Sequence, residues 1–231
     1  MVQAEAAPAA QAADRQAPTT MFTAFWLLRK SGTGSASVDS VRDAFERQRS
    51  DVGVRGAYVT TGLCAGVDLI LWVTAEDCDQ IQGLAIDLEA SLDGRLEMTQ
   101  VYLGVASMSQ YDPEHGPAFL RGLEPRDYLS VYPFTKTPDW FLLPFEERRD
   151  LMIEHGRMGK EFPTILTNTV NSFGIADQEF IVALEDDDPA VLVKMVQRLR
   201  AAEVRKYTAV DTPIYLGRRR DLTEALAIAL G

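Results

Sequence analysis

Four residues with chemical potential stand close together in the sequence: Tyr132, Lys136, Trp140 and His155. His155 lies in Leu151-Met152-Ile153-Glu154-His155-Gly156-Arg157-Met158-Gly159-Lys160 and is one of only 2 histidines. Phe145, Met152, His155, Gly159 and Phe162 recur at helical steps, which puts them on one helix face. Gly156 and Gly159 each cost a helix about 1 kcal/mol relative to Ala. That cost is tolerated more readily where a bulky planar group must come close to the backbone. Neutral imidazole is an axial ligand for haem iron, so the pattern reads as a metal ligand facing something flat. The competing reading is an imidazole satisfied within the core. Upstream, Tyr132-Pro133-Phe134-Thr135-Lys136-Thr137-Pro138-Asp139-Trp140 gathers a phenol, an ammonium and an indole at the end of a strand. Phenol and indole are the side chains best able to host a radical near an oxidised metal. The plainer alternative is amphipathic packing.

The elements that position these residues come in two similar sets. Met21–Arg29 reads as a strand and Val38–Arg49 as a helix. Ala57–Thr61 and Val67–Thr74 read as a hairpin about Gly62–Gly66. Ala75–Leu92 is a helix with Glu76 and Asp77 in its first turn, where the dipole favours acids, and Gln100–Ser107 is a closing strand. The second set is a strand Asp127–Phe134, a helix Pro144–Phe162 opened by proline and two glutamates, and strands Thr164–Phe173 and Glu179–Leu184 about Gly174–Asp177. A helix from Asp188-Pro189 to about Val204 and a strand Pro213–Gly217 complete it. The order strand-helix-strand-strand-helix-strand, twice, predicts an α+β fold. Duplicated ferredoxin-like units would form a dimeric α+β barrel within one chain, helices outside. The expected divisions are a disordered tail 1–20, an N-terminal half 21–107, a connector 108–126 carrying His115, a haem-binding C-terminal half 127–220 and a C-terminal tail 221–231.

The 231 residues are 46% hydrophobic, enough for a substantial core. Lys plus Arg is 23 and Asp plus Glu 34, a net charge of −11. Such a surface disfavours nucleic acid and anionic lipid, though a pocket can still be locally basic. No stretch approaches the ~20 apolar residues of a membrane span. Residues 1–20 lack the charged start and apolar run of a secretion signal. Cys64 and Cys78 match no zinc spacing, and a reducing cytoplasm is the simplest setting.

Taken together, these segments resemble the chlorite dismutase-like superfamily, and within it the coproheme decarboxylases of the actinobacterial type. The resemblance covers about residues 21–220 and rests on separated motifs in one order. They are the Tyr132-Pro133-Phe134 strand end, the Trp140 segment, the His155-Gly156 helix with Gly159, Phe173-Gly174 with Glu179-Phe180, and Arg205-Lys206-Tyr207 before Pro213. The resemblance implies that His155 is the axial iron ligand and Tyr132 the catalytic tyrosine, oxidised to a radical that attacks a propionate. It makes His115 the distal base toward hydrogen peroxide and puts Trp140 beside the substrate. Lys136, Arg205 and Lys206 become cations for propionates. Such cations suit a tetra-carboxylate guest in an acidic protein. The implied reaction turns iron-coproporphyrin III into haem b through a three-propionate intermediate, the iron porphyrin being substrate and redox cofactor at once. Chlorite dismutases carry a distal arginine on the strand after the ligand helix; the corresponding position here is read as Asn168, which disfavours chlorite breakdown. Two other functions stay open, a haem-binding or transfer protein without catalysis and a chlorite dismutase or peroxidase. Relatives of this type form homopentamers, and transient contact with a ferrochelatase is a further implied partnership.

Overall fold

The structure is a computed structural model that describes residues 20–32, 34–109 and 116–231. Its first set of elements is β1 (Met21–Lys30), α1 (Val38–Gln48), β2 (Val52–Val59), β3 (Leu69–Ala75), α2 (Cys78–Leu92) and β4 (Leu96–Ala106). A 3₁₀ turn, Ala118–Arg121, follows. The second set is β5 (Tyr128–Lys136), α3 (Pro138–Leu142), α4 (Phe145–Gly159), β6 (Leu166–Asn171), β7 (Phe180–Asp186) and α5 (Pro189–Leu199). A 3₁₀ turn Glu203–Tyr207, β8 (Thr208–Val210), β9 (Tyr215–Arg220) and α6 (Leu222–Leu230) complete it.

Local chemistry fixes the helix starts. Ser37 and Ser40 form a capping box on α1, Asp77 and Gln80 another on α2, and the Asp188 side chain accepts from Ala190 N at the start of α5. These caps use the first free N–H groups of each helix. Because Asp77 caps α2, that helix starts at Cys78, not at Ala75 as the sequence suggested. α3 and β8 are too short to leave a periodic signal.

The strands pair antiparallel in the order β4-β1-β3-β2 and then, through Val59↔Arg218, β9-β5-β7-β6. Val105↔Asn171 joins β6 back to β4, so eight strands close a ring, while β8 pairs beyond it on the end of β5. Phe25, Tyr58, Trp72, Val131 and Ile181 fill the ring's interior. A buried polar cluster sits among them: the Arg55 guanidinium pairs with Glu185 at 2.6 Å, and the Tyr58 hydroxyl donates to Glu185 at 2.9 Å.

The outer faces of the two sets are filled very differently. Among the described residues, 21 buried apolar side chains join β1–β4 to α1, α2 and α6. The outer face of the second set has two clusters of 4 each, one around Trp140 and Met158, the other around Leu192 and Met195. α4 packs chiefly on α5 and the Glu203–Tyr207 turn instead of on the sheet, and only Met158 in it is fully buried. Phe145 is 43% exposed and Phe162 falls beyond the helix end, so the expected apolar face is only partly closed. Residues 221–231, expected as a tail, instead form α6: Ala225, Leu226, Ala229 and Leu230 are buried in the first core. The apolar Leu-Ala pattern there buries its stripe because β9 delivers it beside β2. The expected 1–20 tail lies outside the described residues except for Thr20.

Candidate active site

α4, packed on α5 and the Glu203–Tyr207 turn, carries His155. Its Nδ1 is buried without a hydrogen-bond partner. Burial first, and then Lys136, push its pKa down to about 4, with Glu154 acting the other way. The imidazole is therefore neutral near pH 7 and keeps a lone pair for a metal. A Cβ added at Gly156 or Gly159 would meet nothing within 4 Å, so open space lies along this helix.

Tyr132 faces the helices from β5. It stands opposite Val182 of β7, which stands opposite Thr169 of β6, so these three share one face. Burial pushes the phenol up to about 12, Asp211 adds to the rise, and Arg200 and Arg205 oppose it. It remains a protonated phenol. Lys136 ends β5, 9% exposed, with Nζ 4.4 Å from the centre of the Trp140 ring and 5.2 Å from that of Phe134. Burial and then Arg205 lower its pKa to about 8, against Glu179, whose carboxylate accepts from Lys136 N at 2.7 Å. Trp140, 3% exposed on α3, packs on Tyr207 with centroids 5.7 Å apart. Arg205 pairs with Asp211 at 3.3 Å.

Two expected residues are not brought to this group. The Lys206 ammonium is exposed and held by Glu203. Asn168 stands opposite Ala183, which stands opposite Val131, so it faces the ring interior. There its amide donates to Glu185 at 3.2 Å and its oxygen accepts from Phe119 N at 3.0 Å. Asn168 thus ties the 3₁₀ turn to β6 and does not look onto the helix face. The positions of β6 that do are Thr167, Thr169 and Asn171, none of them an arginine. His115 lies outside the described residues. Sequence reasoning missed Arg200 and Asp211, because the three-residue β8 that returns Asp211 along β5 has no periodicity to read.

Among the described residues no three His, Cys, Asp or Glu side chains gather to hold a metal ion. A metal arriving inside a macrocycle needs only one axial ligand. An unpartnered neutral imidazole, an open helix face and the cations Lys136, Arg200 and Arg205 fit an iron porphyrin with several carboxylates.

The sequence model of the chlorite dismutase family matches residues 34–220. The chain belongs to the chlorite dismutase family. Within that family it is similar to the coproheme decarboxylase of Mycolicibacterium smegmatis, strain ATCC 700084, with 34% identity over 213 residues, 90% of this chain and 92% of the relative. The coproheme decarboxylase of Staphylococcus carnosus, strain TM300, is 29% identical over 168 residues, 65% of this chain and 67% of the relative. The solved chlorite dismutase of Candidatus Nitrospira defluvii in complex with imidazole superposes with a TM-score of 0.80 at 20% identity, covering 91% of this chain and 95% of that one. At that identity the likeness is one of fold: a mixed α/β chain with an antiparallel sheet and flanking helices. Among the described residues of this chlorite dismutase family member, no helix is long and apolar enough to cross a membrane.

Proposed function

We propose that this protein is a coproheme decarboxylase. With hydrogen peroxide it removes two propionate carboxyls of iron-coproporphyrin III in turn, through a three-propionate intermediate, leaving vinyls and giving haem b as the last step of haem synthesis. Each turnover takes carbon dioxide, one proton and two electrons from one propionate carboxylate, and one peroxide accepts the two electrons with that proton and one more from solvent, becoming two waters. The iron porphyrin, substrate and redox cofactor at once, supplies the oxidising power when peroxide is present. The chain's residues do the rest. His155 would hold the iron. Tyr132 gives up its phenolic hydrogen and then takes one from a propionate β-carbon. Its raised pKa keeps that hydrogen in place until it is needed. Lys136 and Arg205 hold carboxylates, Trp140 flanks the substrate, and His115 serves peroxide as the distal base.

One observation carries this reading. Lys136 ends the strand that bears Tyr132, with its Nζ 4.4 Å from the Trp140 ring centre, Arg205 pairs with Asp211 just beyond the strand laid along β5, and the buried His155 Nδ1 has no partner, so a phenol, cations and a free imidazole nitrogen are gathered on one half of the chain. A protein that only carried haem would have no use for Tyr132 in that place. The helix-facing residues of β6 disfavour chlorite breakdown, since none is an arginine.

Further parts of the reading belong with it. The strand order β4-β1-β3-β2 has its counterpart in β9-β5-β7-β6, which supports two duplicated ferredoxin-like halves, 21–107 and 127–220, closed as a dimeric α+β barrel. A homopentamer, transient contact with a ferrochelatase and a cytoplasmic setting complete the proposal.

Iron-coproporphyrin III and then peroxide are added, and product mass is followed. Two successive losses of carbon dioxide plus two hydrogens are expected. Tyr132→Phe should bind the substrate and leave it at four propionates; full activity in that variant would sink the radical role. An unchanged iron spectrum in His155→Ala would remove the ligand role.

A further inference from the structure

Two residues beside Tyr132, Arg200 and Asp211, have no task in the reaction as given above. Arg200 caps the end of α5, Arg205 lies in the 3₁₀ turn, and Asp211 follows β8 directly. Both guanidinium groups pair with the one Asp211 carboxylate, Arg205 at 3.3 Å. The Asp211 side chain is 18% exposed, against 43% for Arg200 and 36% for Arg205. Register fixes where this cluster sits. β5 pairs with β8 at Thr135↔Val210 and with β9 at Val131↔Tyr215, so residues 211–214 run beside Pro133 and Tyr132. The cluster therefore borders the catalytic phenol, carries two cations against one anion, and has more N–H donors than one carboxylate can accept.

We propose that Asp211 is an internal anion standing in for a substrate carboxylate: it holds Arg200 and Arg205 when no propionate lies beside Tyr132 and shares them with one when it does. This rests on the decarboxylase reading and adds Arg200 and Asp211 to the residues that distinguish substrate from product. An incoming propionate meets guanidinium groups already oriented, with donors to spare. When its carboxyl leaves as carbon dioxide, an apolar vinyl is left against the same two cations. Without Asp211 they would be partly desolvated and lack any counter-ion, an unfavourable state. With Asp211 the pairs tighten again and the product is accommodated. Asp211 thus weakens the grip on the tetra-carboxylate and eases that on the di-carboxylate product, narrowing the gap between them.

The test is a visible titration of the full-length protein without peroxide, once with iron-coproporphyrin III and once with haem b. Asp211→Asn should raise the ratio of coproheme to haem b affinity by on the order of tenfold, and Asp211→Glu should return it toward the wild-type value. Arg200→Gln should weaken coproheme binding more than haem b binding. A ratio unchanged or lowered in Asp211→Asn overturns the role of Asp211. Equal loss of both ligands in Arg200→Gln overturns that of Arg200, and this second variant decides the matter if Asp211→Asn does not fold. A wild-type protein that binds no iron-coproporphyrin III defeats the decarboxylase reading itself, whereas one that binds and decarboxylates it while the variants leave the ratio unmoved defeats only the present inference.

Discussion

Lys136 is the residue whose charge is most open to control by pH. Its pKa of about 8 lies below the ordinary 10.5 because burial and Arg205 disfavour the ammonium. Below about 8 the folded protein carries that charge, and above it the amine is neutral. Coproheme affinity should therefore fall as pH rises from about 8 at constant ionic strength. Lys136→Arg should abolish the fall, since guanidinium stays charged; a fall that persists in that variant would locate the titration elsewhere. Stability moves the other way in the substrate-free protein. Between about 8 and 10.5 the unfolded chain binds the proton and the folded chain does not, so stability rises with pH across that window. Urea midpoints for the wild type and Lys136→Met, measured at both ends of the window, should show the rise only in the wild type. His155 keeps its neutral form at all these pH values, so it adds nothing to either trend.

At the scale of elements, α4 is a helix with little core of its own, and its glycines separate stability from binding. Gly159 lies four residues from His155 and shares its face, whereas Gly156 is a third of a turn away and exposed. Neither has a neighbour for an added Cβ. Gly156→Ala should stabilise the substrate-free protein by up to about 1 kcal/mol and leave coproheme affinity unchanged. Gly159→Ala should not destabilise it either, yet should weaken coproheme binding several-fold, because its methyl enters the space beside the ligand. Thermal unfolding and a visible titration separate the two effects; equal affinities in both variants would mean that the porphyrin does not lie along this face. The helix and its histidine were legible in sequence because α4 is long and bounded by Pro144. The face of β6 was misread. The resemblance sets Asn168 at the position of the distal arginine, and a slip of one residue turns a side chain to the other side of a sheet. The parity was nevertheless present in the sequence: Leu166 and Val170, both buried, alternate in step with Asn168 and mark it as inward. The pairing of Asp211 with two arginines was not legible at all, since it depends on a strand of three residues and a register no local pattern encodes.

At the scale of the whole molecule, the second half of the chain closes the core of the first. Leu226 of α6 is fully buried in the first core, where α6 packs on α1, β1 and β2, all far from it in sequence. Leu226→Ala should cost about 2–5 kcal/mol in urea unfolding while the affinity of the folded protein for coproheme stays as it was; a loss under 1 kcal/mol would mean that α6 is not integral to that core. The strand repeat made the general architecture readable, but the role of α6 was hidden because a nine-residue apolar helix after the second unit has no counterpart after the first. Its position also bears on how the protein is made. A ribosome delivers β1 to β4 first, yet the layer that covers them includes residues synthesised only after the whole second unit. The earlier half therefore emerges with part of its outer apolar face uncovered, and that part is closed only once α6 has been made.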